Sequence, residues 1–347
     1  MNMNGLISCM DRIINEKTAQ NLIVKVGIGD NVLCETMLSA NDSVLTDETM
    51  FDMASVTKIV ATTSLALIAM DRGLLSPDDK VSRFFPVPHD KAELTVRHLM
   101  THTIGFGHKS LLPSNGIYSE IQDFILRIPS DIPIGSNVRY SCPGFILLGR
   151  ILEKIFEKAL DQIFLSHVAK PLEMCSTCFL PPIDRSFVNS NLPDNELGTV
   201  NDYNARYLGG ICGNAGLFSN LCDMTKYVKM LLSRGAPLFS ADIFKMATKN
   251  YTAGMKESRA LGFVYVDEHY MQTGGLFPVG SIGHLGHTGQ SVFADPLSGL
   301  YVIVLSDATI STVKKYGVKK YDEVIHMRHD LHAAIKSDLE RDSCFKL

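Results

Sequence analysis

Tryptophan is absent from this chain of 347 residues, and so is any surplus of positive charge: 33 Lys and Arg stand against 37 Asp and Glu, a formal net charge of -4. Without a basic surplus there is no electrostatic footprint for a phosphate backbone, so nucleic acid is not an expected partner. The start of the chain lacks the pattern of an export leader. Leu6 to Lys17 carries Asp11 and Glu16 and reads as an amphipathic helix, where a signal peptide needs a basic start and an apolar run. The longest apolar stretch, around Ile59 to Met70, is interrupted by Thr62, Thr63 and Ser64 and falls short of a bilayer span. The expected location is therefore the cytoplasm, where the eight cysteines would remain free thiols. The missing tryptophan itself excludes no function.

Metal-site patterns are incomplete. Cys175-Ser-Thr-Cys178 has the spacing of half a zinc site, but no second Cys-x-x-Cys follows and no histidine pair lies at finger-like distance. His98 and His102 stand four apart on a helical pattern, with His108 beyond. The glutamate a zinc protease needs after the first histidine is replaced by Leu99. No metal and no cofactor are expected, and His98 and His102 are expected to pack and bond locally.

At this length the chain can bury a substantial core as one catalytic domain, residues 1–347. After the first helix, Asn21 to Gly29 and Asn31 to Met37 read as strands joined at Gly29-Asp30, and Thr49 to Met53 as a short extended piece. A helical pattern then runs to Gly73. Thr95 caps a short helix from Val96 to Thr101, and further helical patterns cover Ser119 to Arg127, Pro143 to Lys158, Leu160 to His167 and Cys222 to Arg234. Pro181 to Asn204 shows no sustained period and reads as a long loop. Strands return at Ala260 to Val266, Ser291 to Ala294 and Leu300 to Ser306, and a charged helix from Tyr321 to Ser337 closes the chain. Strands at both ends with helices between predict one sheet built from residues 1–54 and 251–347, packed beside a helical insertion over 55–250.

Three Ser-x-x-Lys spacings occur, at Ser55/Lys58, Ser311/Lys314 and Ser343/Lys346. Only the first opens a long helix. Residues three apart on a helix are neighbours, so the Lys58 amine would lie about one turn from the Ser55 hydroxyl, close enough to help activate a nucleophile. A serine at that place also suits a plain helix cap. Two further stretches could complete a site. Arg139-Tyr140-Ser141-Cys142-Pro143 puts a phenol just ahead of a strong helix, where nearby cations would let it act as acid or base; the other Tyr-Ser pair, Tyr118-Ser119, lacks that helix. Val279 to Ser291 is glycine-rich and carries His284 and His287. Closely spaced glycines permit close backbone approach to a ligand, and imidazoles at a strand edge can bond a carbonyl or carboxylate.

Ser55-Val-Thr-Lys58, Tyr140-Ser-Cys142 and His284-Leu-Gly286, in this order, resemble the three motifs of the serine β-lactamase and penicillin-binding protein superfamily, and most of all its class C β-lactamase-like branch of esterases and D-amino-acid peptidases. The connecting text is similar too, at Leu99 to Gly105, Gly144 to Gly149, Leu208 to Ser219 and Asp295-Pro296, and the resemblance spans roughly residues 20–335. It implies a β-lactamase/transpeptidase-like α/β fold of the α+β type, an antiparallel sheet flanked by helices. It also implies a serine hydrolase acting through an acyl-enzyme on Ser55. Lys58 and Tyr140 would move protons, and His284 with Gly286 and Cys142 would contact substrate. The N–H groups of Ser55 and His287 would form the oxyanion hole. The implied partners are a small ester, amide, β-lactam or peptidoglycan fragment.

Three departures qualify the transfer. Cys142 stands where an Asn or Asp is usual, and histidine stands where many relatives have the lysine of Lys-Thr-Gly, which weakens the grip on a substrate carboxylate and favours esters or small amides. His287-Thr-Gly289 could be the third motif instead of His284. His284 is preferred because Thr288 to Ser291 then occupies the turn and strand that follow the motif. The rival function is a non-catalytic, penicillin-binding-like protein that holds a cell-wall fragment or amino-acid ligand.

Overall fold

The computed structural model describes residues 2–40, 44–107, 109, 120–182, 198–308 and 319–341. His108, Tyr118-Ser119, the Ser311 and Ser343 spacings, Cys344 and residues 183–197 of the expected loop lie outside the described residues.

Strands from both ends of the sequence meet in one antiparallel sheet. Its members are β1 (Asn21–Ile28), β2 (Asn31–Ser39), β6 (Val264–Tyr265), β7 (Ile282–Leu285), β8 (Ser291–Ala294) and β9 (Leu300–Ser306), in the order β2-β1-β9-β8-β7-β6. β1 pairs with β9 over the register Leu22↔Ser306 to Ile28↔Leu300, which closes the long crossover between the chain ends. Alternation sorts the side chains into two apolar layers. Leu22, Val24, Val26, Val302 and Val304 join the helices Asn4–Asn15 and Lys319–Arg341 on one face, while Ile23, Ile303 and Leu305 join the large helical core on the other. Burial of each such Leu or Ile contributes about 1.5–3 kcal/mol. This is the expected architecture, an antiparallel sheet built from both chain ends with flanking helices.

A second, three-stranded sheet aligns β3 (Phe51–Asp52) and β4 (Cys178–Phe179) on β5 (Leu217–Ser219), in the order β3-β5-β4. It fixes the start of the helical run that follows. That run has three parts: a 3-10 turn at Ala54–Val56, a π-helix at Lys58–Thr63 and an α-helix at Ser64–Asp71. The stretch Ala54–Asp71 is long and apolar enough to cross a membrane by length and composition, which the shorter Ile59 to Met70 reading missed, and 94% of it is buried inside the fold. It is the core helix of the helical layer.

Some expectations need correction. The strand expected over Ala260 to Val266 contracts to Val264–Tyr265, because Gly262 turns at φ 83°, with a Cβ position that would collide with Thr63, and the N–H groups of Leu261 and Gly262 bond Ala247 and Met100 in the helical layer. β7 was hidden within the glycine-rich run. Short elements such as β4, β5 and the helices Tyr203–Tyr207 and Ala241–Ala247 carry too few residues to show a period.

Candidate active site

Asp52 sets the backbone at the nucleophile candidate. Its buried carboxylate accepts the Ala54 N–H at 2.8 Å through Oδ1 and the Asn201 N–H at 2.7 Å through Oδ2. Ala54 takes φ 45°, a left-handed conformation that alanine rarely adopts, so the turn leading into Ser55 is held against its own preference. Leu217 of β5 braces the same turn, accepting the Met53 N–H at 2.9 Å and donating to Thr57 Oγ1 at 3.1 Å. Ser55 caps no helix.

The hydroxyl of Ser55 meets two donors. Lys58 Nζ donates to Oγ at 2.9 Å and Tyr140 OH donates at 2.7 Å. Lys58 is fully buried, and its ammonium also donates to the Asn214 carbonyl at 2.8 Å and to Cys142 Sγ at 3.6 Å, while lying 4.9 Å from the Tyr140 ring centre. Burial pulls the Lys58 ammonium down, but its interactions with Cys142, Tyr140 and Asp202 outweigh that and push the group up to about 12. Burial raises the Tyr140 phenol against the pull of Lys58. At neutral pH Lys58 is therefore an ammonium and Tyr140 a neutral phenol.

Tyr140 precedes the helix Cys142–Phe156, which starts with Ser141 Oγ accepting the Gly144 N–H at 3.4 Å. Histidines flank its ring. His102, at φ 58°, accepts the Ser141 N–H on Nδ1 at 3.1 Å and stacks 4.6 Å from Tyr140. His284, at the inner end of β7, lies 6.2 Å from it. Arg259 sits 5.9 Å from the same ring and pairs with Glu257 at 2.5 Å. Both histidines are held well below the ordinary imidazole range, first by burial and then by the Arg259 and Lys58 cations.

The turn after β7 is bonded to the nucleophile strand. Gln290 Nε2 donates to the Asp52 carbonyl at 2.7 Å, and Thr288 Oγ1 donates to it at 3.1 Å. Gly286 lies so close that a Cβ there would fall 3.1 Å from the Met53 carbonyl oxygen. His287, half-buried, belongs to this turn, whereas His284 is the buried imidazole beside Tyr140.

Of the residues singled out from sequence, Ser55, Lys58, Tyr140, Cys142 and His284 therefore converge, with Gly286 and His287 on the adjoining turn. His98 is elsewhere, completing the Thr95 capping box. Sequence reasoning missed the parts played by Asp52, His102, Asn214 and Arg259. His102 and Asn214 lie inside stretches quoted for the resemblance and Asp52 lies in the extended piece Thr49 to Met53, while nothing in the sequence marks Arg259. Among the described residues no group of three His, Cys, Asp or Glu could hold a metal ion.

The family model described as Beta-lactamase matches residues 37–318. A protein of Escherichia coli (strain K12) named "Putative D-alanyl-D-alanine carboxypeptidase" is 29% identical over 312 residues, 77% of this chain and 71% of the relative. Among solved structures, EstCE1, a hydrolase with promiscuous acyltransferase activity, superposes with a TM-score of 0.72 at 20% identity, covering 95% of this chain and 98% of the other. An octameric penicillin-binding protein homologue from Pyrococcus abyssi superposes with a TM-score of 0.64 at 20% identity over 91% of this chain and 77% of the other.

Proposed function

Because the chain belongs to the beta-lactamase family, a superfamily of serine hydrolases, we propose that it is a hydrolase of esters or small amides acting through an acyl-enzyme on Ser55. The observation that carries this is the pair of donors on Ser55 Oγ, Lys58 at 2.9 Å and Tyr140 at 2.7 Å. With Lys58 charged and Tyr140 neutral, neither partner of Ser55 Oγ is a free base, so the phenol works as a shuttle. As Ser55 Oγ bonds the acyl carbon, its proton passes to the Tyr140 oxygen while the Tyr140 proton passes to the leaving group, whose bond to carbon breaks. Water then attacks the acyl-enzyme by the same route, releasing the acid and restoring the Ser55 hydroxyl. The Lys58 ammonium stabilises negative charge on both oxygens, and such proton transfer supplies about 100- to 10,000-fold in rate. The N–H groups of Ser55 and His287 serve the oxyanion, each worth about 100- to 1000-fold.

The substrate class rests on the family, on the carboxypeptidase-named relative and on His284 in place of lysine: an ester, a D-amino-acid amide or a cell-wall fragment, in a class C-like branch and in the cytoplasm. Incubation with a fluorophosphonate or penicillin followed by intact mass tests the reading. An adduct on Ser55 and turnover of p-nitrophenyl esters are expected; neither adduct nor turnover, with Ser55→Ala behaving as the parent, refutes it. Cys142 against Lys58, where relatives have an amide, motivates the second reading of a non-catalytic binder. Measurable turnover excludes that reading.

A further inference from the structure

His284 departs from a lysine in more than charge. Its Nδ1 lies 2.8 Å from the carbonyl oxygen of Leu285, and a carbonyl can only accept, so the Nδ1 position carries the proton. A neutral imidazole has one N–H and one lone pair, and the lone pair is therefore on Nε2, at the opposite edge of the ring. Nε2 is buried and has no hydrogen-bond partner, in a side chain that is 2% exposed. A buried acceptor without a donor is costly to leave so. His102, also beside Tyr140, is the reverse case: a backbone N–H occupies its Nδ1, so its proton is on Nε2.

None of the nearby cations donates to this lone pair, although the buried Nε of Arg259 has no partner of its own. The three N–H groups of Lys58 go to Ser55, Asn214 and Cys142. Arg259 is paired with Glu257, and Arg328 from the C-terminal helix donates to the Gly286 carbonyl. Lys58, Arg259 and Arg328 all act on His284 as like charges against its protonation, and Tyr140 faces it as a neutral ring. A substrate carboxylate brought to Nε2 would meet an acceptor with an acceptor. A hydroxyl or amide N–H would meet its complement.

We infer that His284 presents Nε2 to the substrate as a hydrogen-bond acceptor, so that the site selects an uncharged substrate with an O–H or N–H donor near the scissile bond and rejects one with a carboxylate there. The inference rests on the hydrolase reading and narrows its substrate class: peptides ending in a free carboxylate beside the scissile bond are disfavoured, and amidated or hydroxylated counterparts are favoured.

Two aryl esters differing at one group test it, 3-carbamoylphenyl acetate and 3-carboxyphenyl acetate, each rate divided by that for hydroxide. At pH 7.5 the full-length protein is expected to favour the carbamoyl ester by about 10-fold or more in kcat/KM, an ordinary return for one satisfied against one opposed hydrogen bond. The ratio should hold from pH 7.5 down to pH 6, because burial and the neighbouring cations keep His284 neutral there. Equal rates, or preference for the carboxylate, at pH 7.5 overturn the inference. His284→Met should bring the ratio to about 1 by slowing the carbamoyl ester, and His284→Lys should reverse it; if either variant fails to fold, the parent's own ratio still decides. No turnover of either ester with Ser55 unmodified refutes the hydrolase reading instead. Calorimetric binding of 3-hydroxybenzamide and 3-hydroxybenzoate then decides the inference: tighter amide binding supports it, and equal, reversed or absent binding overturns it.

Discussion

Asp52→Asn changes one atom in the brace behind Ser55, and its effect on stability should depend on pH. The carboxylate is 3% exposed and serves two backbone donors, Ala54 at 2.8 Å and Asn201 at 2.7 Å. An Asn has one acceptor oxygen, so one of those N–H groups would face an amide NH₂, at a cost of about 1–3 kcal/mol. Burial works in the other direction: it raises Asp52 from 3.8 to about 6 in spite of both hydrogen bonds. A carboxyl raised in the folded state gives stability that is present in full below pH 3.8 and is lost as pH rises through about 6. That loss is worth about 3 kcal/mol, and Asn does not suffer it. The variant should therefore be less stable than the parent by about 1–3 kcal/mol near pH 4. The gap should close by about 2–3 kcal/mol, or change sign, at pH 8. Urea unfolding at the two pH values measures this, followed by far-UV circular dichroism since the chain has no tryptophan signal. A stability gap that stays the same at both pH values would refute the reasoning.

Ser55→Ala should abolish the fluorophosphonate adduct in intact mass while leaving the melting temperature within a few degrees, since Ser55 caps no helix. Tyr140→Phe keeps the ring contacts with His102 and Lys58 and loses the phenol oxygen with its 2.7 Å bond to Ser55, so kcat should fall about 100- to 10,000-fold with KM little changed; an unaltered kcat removes Tyr140 from the mechanism. Cys142→Ala removes one of the groups that raise Lys58, so the alkaline limb of the pH-rate profile should move to lower pH, and a limb that stays in place rejects the coupling. Gly286→Ala puts a Cβ 2.9 Å from Gln290 Cβ and 3.1 Å from the Met53 oxygen, and thermal unfolding should register about 1–3 kcal/mol of overpacking.

The sheet was legible wherever strands alternate over enough residues. Asn21–Ile28 and Leu300–Ser306 were read almost to their ends, and the helical middle followed from the apolar spacing of Ile146, Leu147, Ile151 and Leu152. β7 was not, because Gly283 and Gly286 remove side chains from the alternation and leave Ile282, His284 and Leu285, which read as a turn. The strand expected from Ala260 failed for the converse reason. Its apolar residues are real core, but Gly262 folds them against Thr63 and Met100 in the helical layer instead of along the sheet.

At the site, residue types and their order were readable while their protonation and strain were not. Ser55 and Lys58 show as a spacing of three, yet the turn leading into Ser55 depends on Ala54 at φ 45°, held by the Asp52 carboxylate at the end of β3 that no local pattern marks. His102 and His284 are the same letter, and the structure gives them opposite tautomers beside Tyr140. A backbone N–H from Ser141 fixes one with its lone pair inward to the chain, and the Leu285 carbonyl fixes the other with its proton there. Neither partner is a side chain; each is a main-chain group whose position follows from the helix start at Cys142 and the end of β7. What distinguishes a histidine from the lysine common at the third motif is therefore decided by backbone geometry, which turns a substitution of charge into a change from donor to acceptor.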